Sequence, residues 1–145
     1  MCAEQRVHPV AFSPFPLYWI CCERYIPMWE VNGTDRFDAW FDELTEAERE
    51  DVIAVVDLLK ARGPHLGMPY SSGIVTSRHS HMRELRIQHA GRPYRVLYAF
   101  DPRRSALLLL GGDKTGDNRW YEVNVPIADR LYDEHLQVLQ EKERS

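Results

Sequence analysis

Met82-Arg83-Glu84-Leu85-Arg86-Ile87 alternates, placing Met82, Glu84 and Arg86 on one face of a strand and Arg83, Leu85 and Ile87 on the other. A glycine-containing turn follows at 90–93. Residues 93–100 form the next strand, with Arg95 among Tyr94, Val96, Leu97 and Tyr98. A polar turn at 101–105 leads to residues 106–110, near-continuously apolar, as a strand buried on both faces requires. Strands in succession joined by short turns predict an antiparallel meander.

Upstream the period becomes helical. Phe37, Trp40, Phe41 and Leu44 recur at the spacing of one helix face, with Thr34 or Asp35 able to cap. Thr45-Glu46-Ala47-Glu48 reads as a capping box opening a second helix that faces Val52, Val55, Val56 and Leu59 inward. Gly63-Pro64 stops it. Residues 29–31 read as a short first strand ended by the turn pair Asn32-Gly33. Residues 67–73 read as a loop and 74–76 as a short β segment. Downstream, 111–120 reads as a polar loop carrying Lys114. Asn124 and Pro126 open a last helix with Ile127, Leu131 and Leu139 inward. The predicted order is β-α-α-β-β-β-α. The fold class is α+β: an N-terminal strand and helical hairpin packed on one face of a curved antiparallel sheet, then a C-terminal helix.

The chain has 145 residues, 44% hydrophobic and 28% charged, enough for one domain with a real core. Its net charge of −4 conceals segregation. Residues 60–119 carry 11 Lys/Arg against 4 Asp/Glu, whereas residues 35–59 carry 2 against 9. A basic sheet beside acidic helices points to an anionic ligand, nucleic acid first. No apolar run is long enough to span a bilayer. Cys2, Cys21 and Cys22 form no metal spacing and no disulfide framework, so a reducing cytoplasm is expected. Residues 1–27, with four prolines and no periodicity, read as an N-terminal extension, either irregular or a start-site artefact with Met28 as the natural start. A docked arm carrying Tyr18 and Trp19 is the alternative. Residues 28–145 form the domain.

Met82–Ile87, then Gly91-Arg92-Pro93-Tyr94-Arg95-Val96-Leu97-Tyr98, then 108–114 and a C-terminal helix resemble the HigB branch of the RelE/ParE toxin superfamily. The match covers roughly residues 28–140, including the helical hairpin in the family's order. The resemblance implies a small toxin of a type II toxin–antitoxin system, an mRNA endoribonuclease (mRNA interferase) that works on the ribosome and inhibits translation. It also implies a cognate antitoxin, usually a helix-turn-helix DNA-binding protein. The ParE branch uses the same scaffold to inhibit DNA gyrase. That is the first rival reading; a non-catalytic phage-derived binding protein is the second.

RNA can be cut without a metal. Its own 2′-OH attacks the neighbouring phosphorus, and the enzyme aligns the strand and stabilises charge on the phosphate oxygens. Guanidinium groups suit that task. Arg86 and Arg95 are the first candidates for phosphate or transition-state contacts. The resemblance places Lys114 near the cleft and Tyr121 in the C-terminal aromatic neighbourhood, where it could stack on a base or bond a phosphate. Arg83, Arg92, Arg119 and Trp120 complete the expected RNA surface. Glu84 is either a general base or an ion pair that orients Arg86 or Arg95, the second being favoured. No cofactor or metal is expected. His79-Ser80-His81 has no third ligand in its neighbourhood and reads as solvated loop histidines. His89 and His135 have no visible partner. Gly111-Gly112-Asp113-Lys114-Thr115-Gly116 lacks the order of a P-loop.

Overall fold

A computed structural model describes residues 7–9 and 28–144. The elements are β1 (Val7–Pro9), β2 (Val31–Thr34), α1 (Asp35–Glu43), α2 (Glu46–Arg62), β3 (Ser71–Gly73), β4 (Arg83–His89), β5 (Arg92–Phe100), β6 (Ala106–Asp113) and α3 (Trp120–Arg144). They build one six-stranded sheet in the order β1-β2-β6-β5-β4-β3. The fold is α+β, with the expected hairpin of helices, meander and C-terminal helix. Val7–Pro9 lies within the stretch read as an extension and pairs antiparallel with β2. The three cysteines, Tyr18 and Trp19 lie outside the described residues.

The α1–α2 hairpin forms for the local reasons the sequence supplies. Thr34 Oγ1 accepts from Phe37 N at 3.1 Å and starts α1. Thr45 and Glu48 form the reciprocal capping box, Glu48 N to Thr45 Oγ1 at 3.2 Å and Thr45 N to Glu48 Oε1 at 3.0 Å. Such a cap contributes about 1 kcal/mol. Gly63 ends α2, and its N–H bonds Leu59 O.

Four features depart from the sequence reading. First, β2 runs parallel to β6, so the sheet is mixed. Asn32 and Gly33 are strand residues opposite Leu107 and Leu108 rather than a turn, because ladders on both sides outweigh the pair's turn preference. Second, the helices are not confined to one face. Phe37, Val52, Val56 and Leu59 pack on one side of the sheet with Leu85, Ile87 and Val96. Trp120, Val125, Ala128 and Tyr132 of α3 pack on the other with Met82, Leu97 and Leu110. Third, α3 begins at Trp120 and contains Pro126. An internal proline costs about 3 kcal/mol; burying several large side chains at about 1.5–3 kcal/mol each outweighs it. Fourth, β6 runs on through Gly111, Gly112 and Asp113, read as loop, and β3 precedes the segment 74–76 read as strand.

The β5–β6 register shifts by one residue: Leu97 pairs with Leu110 but Tyr98 with Leu108. Leu109 is the extra residue, a β-bulge. Its carbonyl is not wasted, since Thr34 Oγ1 donates to it at 2.6 Å. One hydroxyl thus caps α1 and ties β2 to the bulge.

Candidate functional site

Alternation puts Glu84 with Arg86 on one face of β4, and the ladder makes Arg86 the direct cross-strand partner of Arg95. Glu84, Arg86 and Arg95 therefore share the face that α3 covers. Two opposed guanidinium groups repel one another, and Glu84 offsets this. Its Oε1 accepts from Ser72 Oγ at 2.8 Å and Arg86 Nη1 at 3.1 Å. Its Oε2 accepts from Tyr121 OH at 2.7 Å and lies 3.8 Å from Arg95 Nε. The residue is 4% exposed; a carboxylate that deep is tolerated only when its oxygens are satisfied, as here.

The two arginines differ in access. Arg95 is 3% exposed, and its Nη1 donates to Tyr94 O at 2.9 Å. Its Nε is a buried side-chain nitrogen without a hydrogen-bond partner among the described residues. The Arg86 side chain is 32% exposed. Lys114 and Tyr121 are half-buried, with Lys114 Nζ 5.7 Å from the centroid of the Tyr121 ring. Burial first, and then the bond to Glu84, push the Tyr121 phenol above its ordinary value. It remains protonated at neutral pH and is a hydrogen-bond donor.

Two glycines let the tryptophans close over this end of the sheet. A Cβ on Gly111 would lie 2.3 Å from the Trp40 ring, and a Cβ on Gly112 would lie 2.7 Å from Trp120 Nε1. Gly112 is the partner of Arg95 on β6. The absent side chain there lets Trp120, buried at the start of α3, bring Tyr121 over Glu84. Trp120 and Tyr121 meet edge to face at 5.2 Å between centroids.

The structure brings together Glu84, Arg86, Arg95, Lys114, Tyr121 and Trp120, and sets the other candidates apart. Arg83 points to the opposite face, its Nε donating to Ser71 Oγ at 3.1 Å. Arg92 lies over Tyr94 and pairs with Glu48 and Asp113 at 3.8 and 3.5 Å. Arg119 is exposed and pairs with Glu122 at 3.1 Å. Ser72, read as loop, is the partner that sequence reasoning missed. Its place opposite Glu84 depends on the β3–β4 register, for which the sequence holds no local signal.

The histidines have partners distant in sequence. His79 Nε2 meets Asp133 Oδ1 at 2.8 Å, and His81 Nε2 meets Tyr132 OH at 2.9 Å. With Ser77 on Asp129 at 2.5 Å, they fasten the loop before β4 onto α3. His79 is not a solvated loop residue; burial lowers its pKa. His89 Nδ1 meets Asp51 Oδ2 at 2.6 Å, and buried His135 Nε2 meets Asp101 Oδ2 at 2.9 Å. A cavity of about 260 Å³ beside His135 and Asp101 is lined also by Glu30, Ser105 and Arg103, away from Glu84. Among the described residues no group of three or more His, Cys, Asp or Glu is placed to hold a metal ion. No helix there is long and apolar enough to cross a membrane.

The family described as "Phage derived protein Gp49-like (DUF891)" matches residues 39–133. Among curated proteins the chain is similar to "Putative toxin HigB3" of Mycobacterium tuberculosis, 46% identical over 94 residues, covering 64% of this chain and 81% of that one. It is also similar to "Putative toxin HigB2" of the same organism, 39% identical over 104 residues. That match covers 70% of this chain and about half, 52%, of the relative. No solved structure matches.

Proposed function

The chain belongs to the Gp49-like family of HigB-like toxins, and from that premise we propose that it is the toxin of a toxin–antitoxin pair and that the face around Glu84 cuts messenger RNA held on the ribosome. The observation that carries this reading is the double hold of Glu84 on Arg86 and Tyr121. One buried carboxylate fixes a guanidinium and a phenol side by side, with Lys114 over the phenol ring.

This arrangement suits a phosphate in the act of losing a leaving group. Arg86 and Lys114 are the accessible cations, and they take the non-bridging oxygens as negative charge grows there. Tyr121, whose single hydroxyl proton is given to Glu84, stacks its ring on the adjoining base. The N-terminal end of the 25-residue α3 at Trp120 adds its favourable potential for an anion. The RNA supplies the nucleophile: its 2′-oxygen bonds to phosphorus and yields its proton to solvent, the bond from phosphorus to the 5′-oxygen breaks, and that oxygen takes up a proton from solvent, so the products are a 2′,3′-cyclic phosphate and a 5′-hydroxyl end. Arg95 and Glu84 do not touch the RNA in this scheme. They are positioning residues, Arg95 holding the charge of Glu84 and Glu84 holding Arg86 and Tyr121.

The partner in this reading is an antitoxin of the helix-turn-helix class, encoded beside the toxin. The test is expression without the antitoxin, with 5′ ends mapped on cellular messages. New codon-phased ends that vanish in Arg86→Ala support the reading. Growth arrest with intact messages and gyrase-linked DNA breaks would overturn it in favour of gyrase inhibition, and absence of toxicity would favour a non-catalytic binding protein.

A further inference from the structure

The outermost strand on one side of the sheet, β3, has an apolar free edge. Met68 is 67% exposed, Tyr70 38% and Val75 97%. These are three of the five large hydrophobic side chains left exposed among the described residues, and they bracket Ser71–Gly73. Arg86 N donates to Tyr70 O at 2.8 Å and Ile74 N to Met82 O at 2.9 Å, so even-numbered residues of this stretch bond β4. By that alternation the Gly73 N–H and the Ser71 and Gly73 carbonyls point to the open side. Proteins charge, shorten or cover such edges to prevent unwanted pairing, and an apolar one is a surface that another chain covers.

Charge decides what kind of chain. Residues 64–83 hold Arg78, Arg83 and three histidines, and no Asp or Glu; Arg78 and His79 are paired with Asp133 of α3, which leaves Arg83 as the cation of the edge itself. Arg83 Nη1 would be 3.9 Å from a Cβ on Gly73, and half-exposed Arg86 stands on the next strand. Two copies of this chain meeting edge to edge would oppose these cations. An acidic extended segment would not.

We propose that the β3 edge is where the antitoxin engages this chain, an extended acidic segment adding as a seventh strand beside Gly73. This rests on the reading of the chain as the toxin of a pair. Apolar side chains of the segment meet Met68, Tyr70 and Val75, and its carboxylates meet Arg83 and Arg86. Ser72, on the same strand, holds Glu84, so the docked segment lies beside the RNA site and shields Arg86.

The test uses the full chain and the antitoxin encoded by the adjacent gene. Gly73→Pro removes the outward N–H while leaving the bonds to β4, and edge strands accept proline. Val75→Glu adds a repelling charge at a side chain with nothing packed on it, and serves if the proline variant folds poorly. The expected result is slowed deuterium exchange at Gly73 and Val75 in the complex, and at least tenfold weaker binding in either folded variant. Cleavage of RNA by the free variants stays at the wild-type rate. Wild-type affinity in both variants, protection confined to other surfaces, or no binding of that antitoxin would overturn the proposal. Because binding is read separately from cleavage, loss of the RNase reading alone leaves this outcome legible.

Discussion

Arg86 and Arg95 are direct partners across the β4–β5 ladder, yet one guanidinium reaches solvent and the other is sealed beneath α3. The relationship separates contact from support. Arg95→Ala takes from Glu84 the buried one of its two cations and empties a packed site beneath α3, and a loss of about 3 kcal/mol in unfolding free energy is expected. Arg86→Ala removes a half-exposed partner, and about 1 kcal/mol or less is expected. Urea denaturation of the two variants checks the order. Equal losses would contradict the division.

Tyr121→Phe removes the hydroxyl that donates to Glu84 while keeping the ring. A fall of up to about 100-fold in the cleavage rate is expected, the scale for misplacing a reacting group once Glu84 and Arg86 lose a fixed neighbour, with RNA affinity almost unchanged. Burial and then Glu84 raise the phenol above its ordinary 10.0, so it stays protonated below about pH 10. The rate above pH 8 should then show no loss from Tyr121 below about pH 10. A pH–rate profile compares wild type with Tyr121→Phe; the same alkaline limb in both is the expected result.

Much of this fold was legible because its signals are local. The capping box at Thr45–Glu48, the stop at Gly63 and the alternation of β4 are each contained within a few residues. Alternation put Glu84 beside Arg86, but no rule within one strand could say that Arg95 faces Arg86. That follows from the register set by the turn at Ala90 and Gly91. The hidden parts are all long-range. Thr34 finds Leu109 across 75 residues, His79 finds Asp133 across 54, and Tyr121 finds Glu84 across 37. The start of α3 was missed because Trp120 and Tyr121 precede Pro126, whose cost is outweighed only by packing on the sheet. The burial of Arg95 was missed for a related reason: a strand arginine looks exposed until a helix is laid over it.

The Glu48 carboxylate ties α2 to the sheet, accepting from Tyr94 OH as well as from the Thr45 backbone. The bond from Tyr94, then those from Thr45, lower its pKa from 4.5 to about 2. A depressed carboxylate stabilises the fold fully above its unfolded value and loses that contribution as pH falls. Stability should therefore drop between pH 4.5 and about 2, and Glu48→Gln should flatten that drop. Tyr94 is its complement. Burial, then Glu48, push it from 10.0 to about 12, so its contribution is lost as pH rises through that interval. Thermal melting across pH checks both limbs.

The β4–β5 hairpin turns on Ala90 at φ 49° and Gly91 at φ 77°, a pair of positive angles that the tight primed turn requires. Alanine is strained there, glycine is not. Ala90→Gly should raise stability by about 0.5–1 kcal/mol, the strain relieved outweighing the added freedom of the unfolded chain. Chemical denaturation measures it, and a destabilised variant would contradict the account of the turn.

The central claim is that Glu84 holds Arg86 and Tyr121 against one scissile phosphate. Single-turnover cleavage of a message on programmed ribosomes, wild type against Arg86→Ala, tests it most directly. The predicted result is a 5′-hydroxyl product from wild type and a rate lower by about 100-fold or more in the folded variant. An undiminished rate in Arg86→Ala, or no cleavage by wild type under any condition that arrests growth, would contradict it.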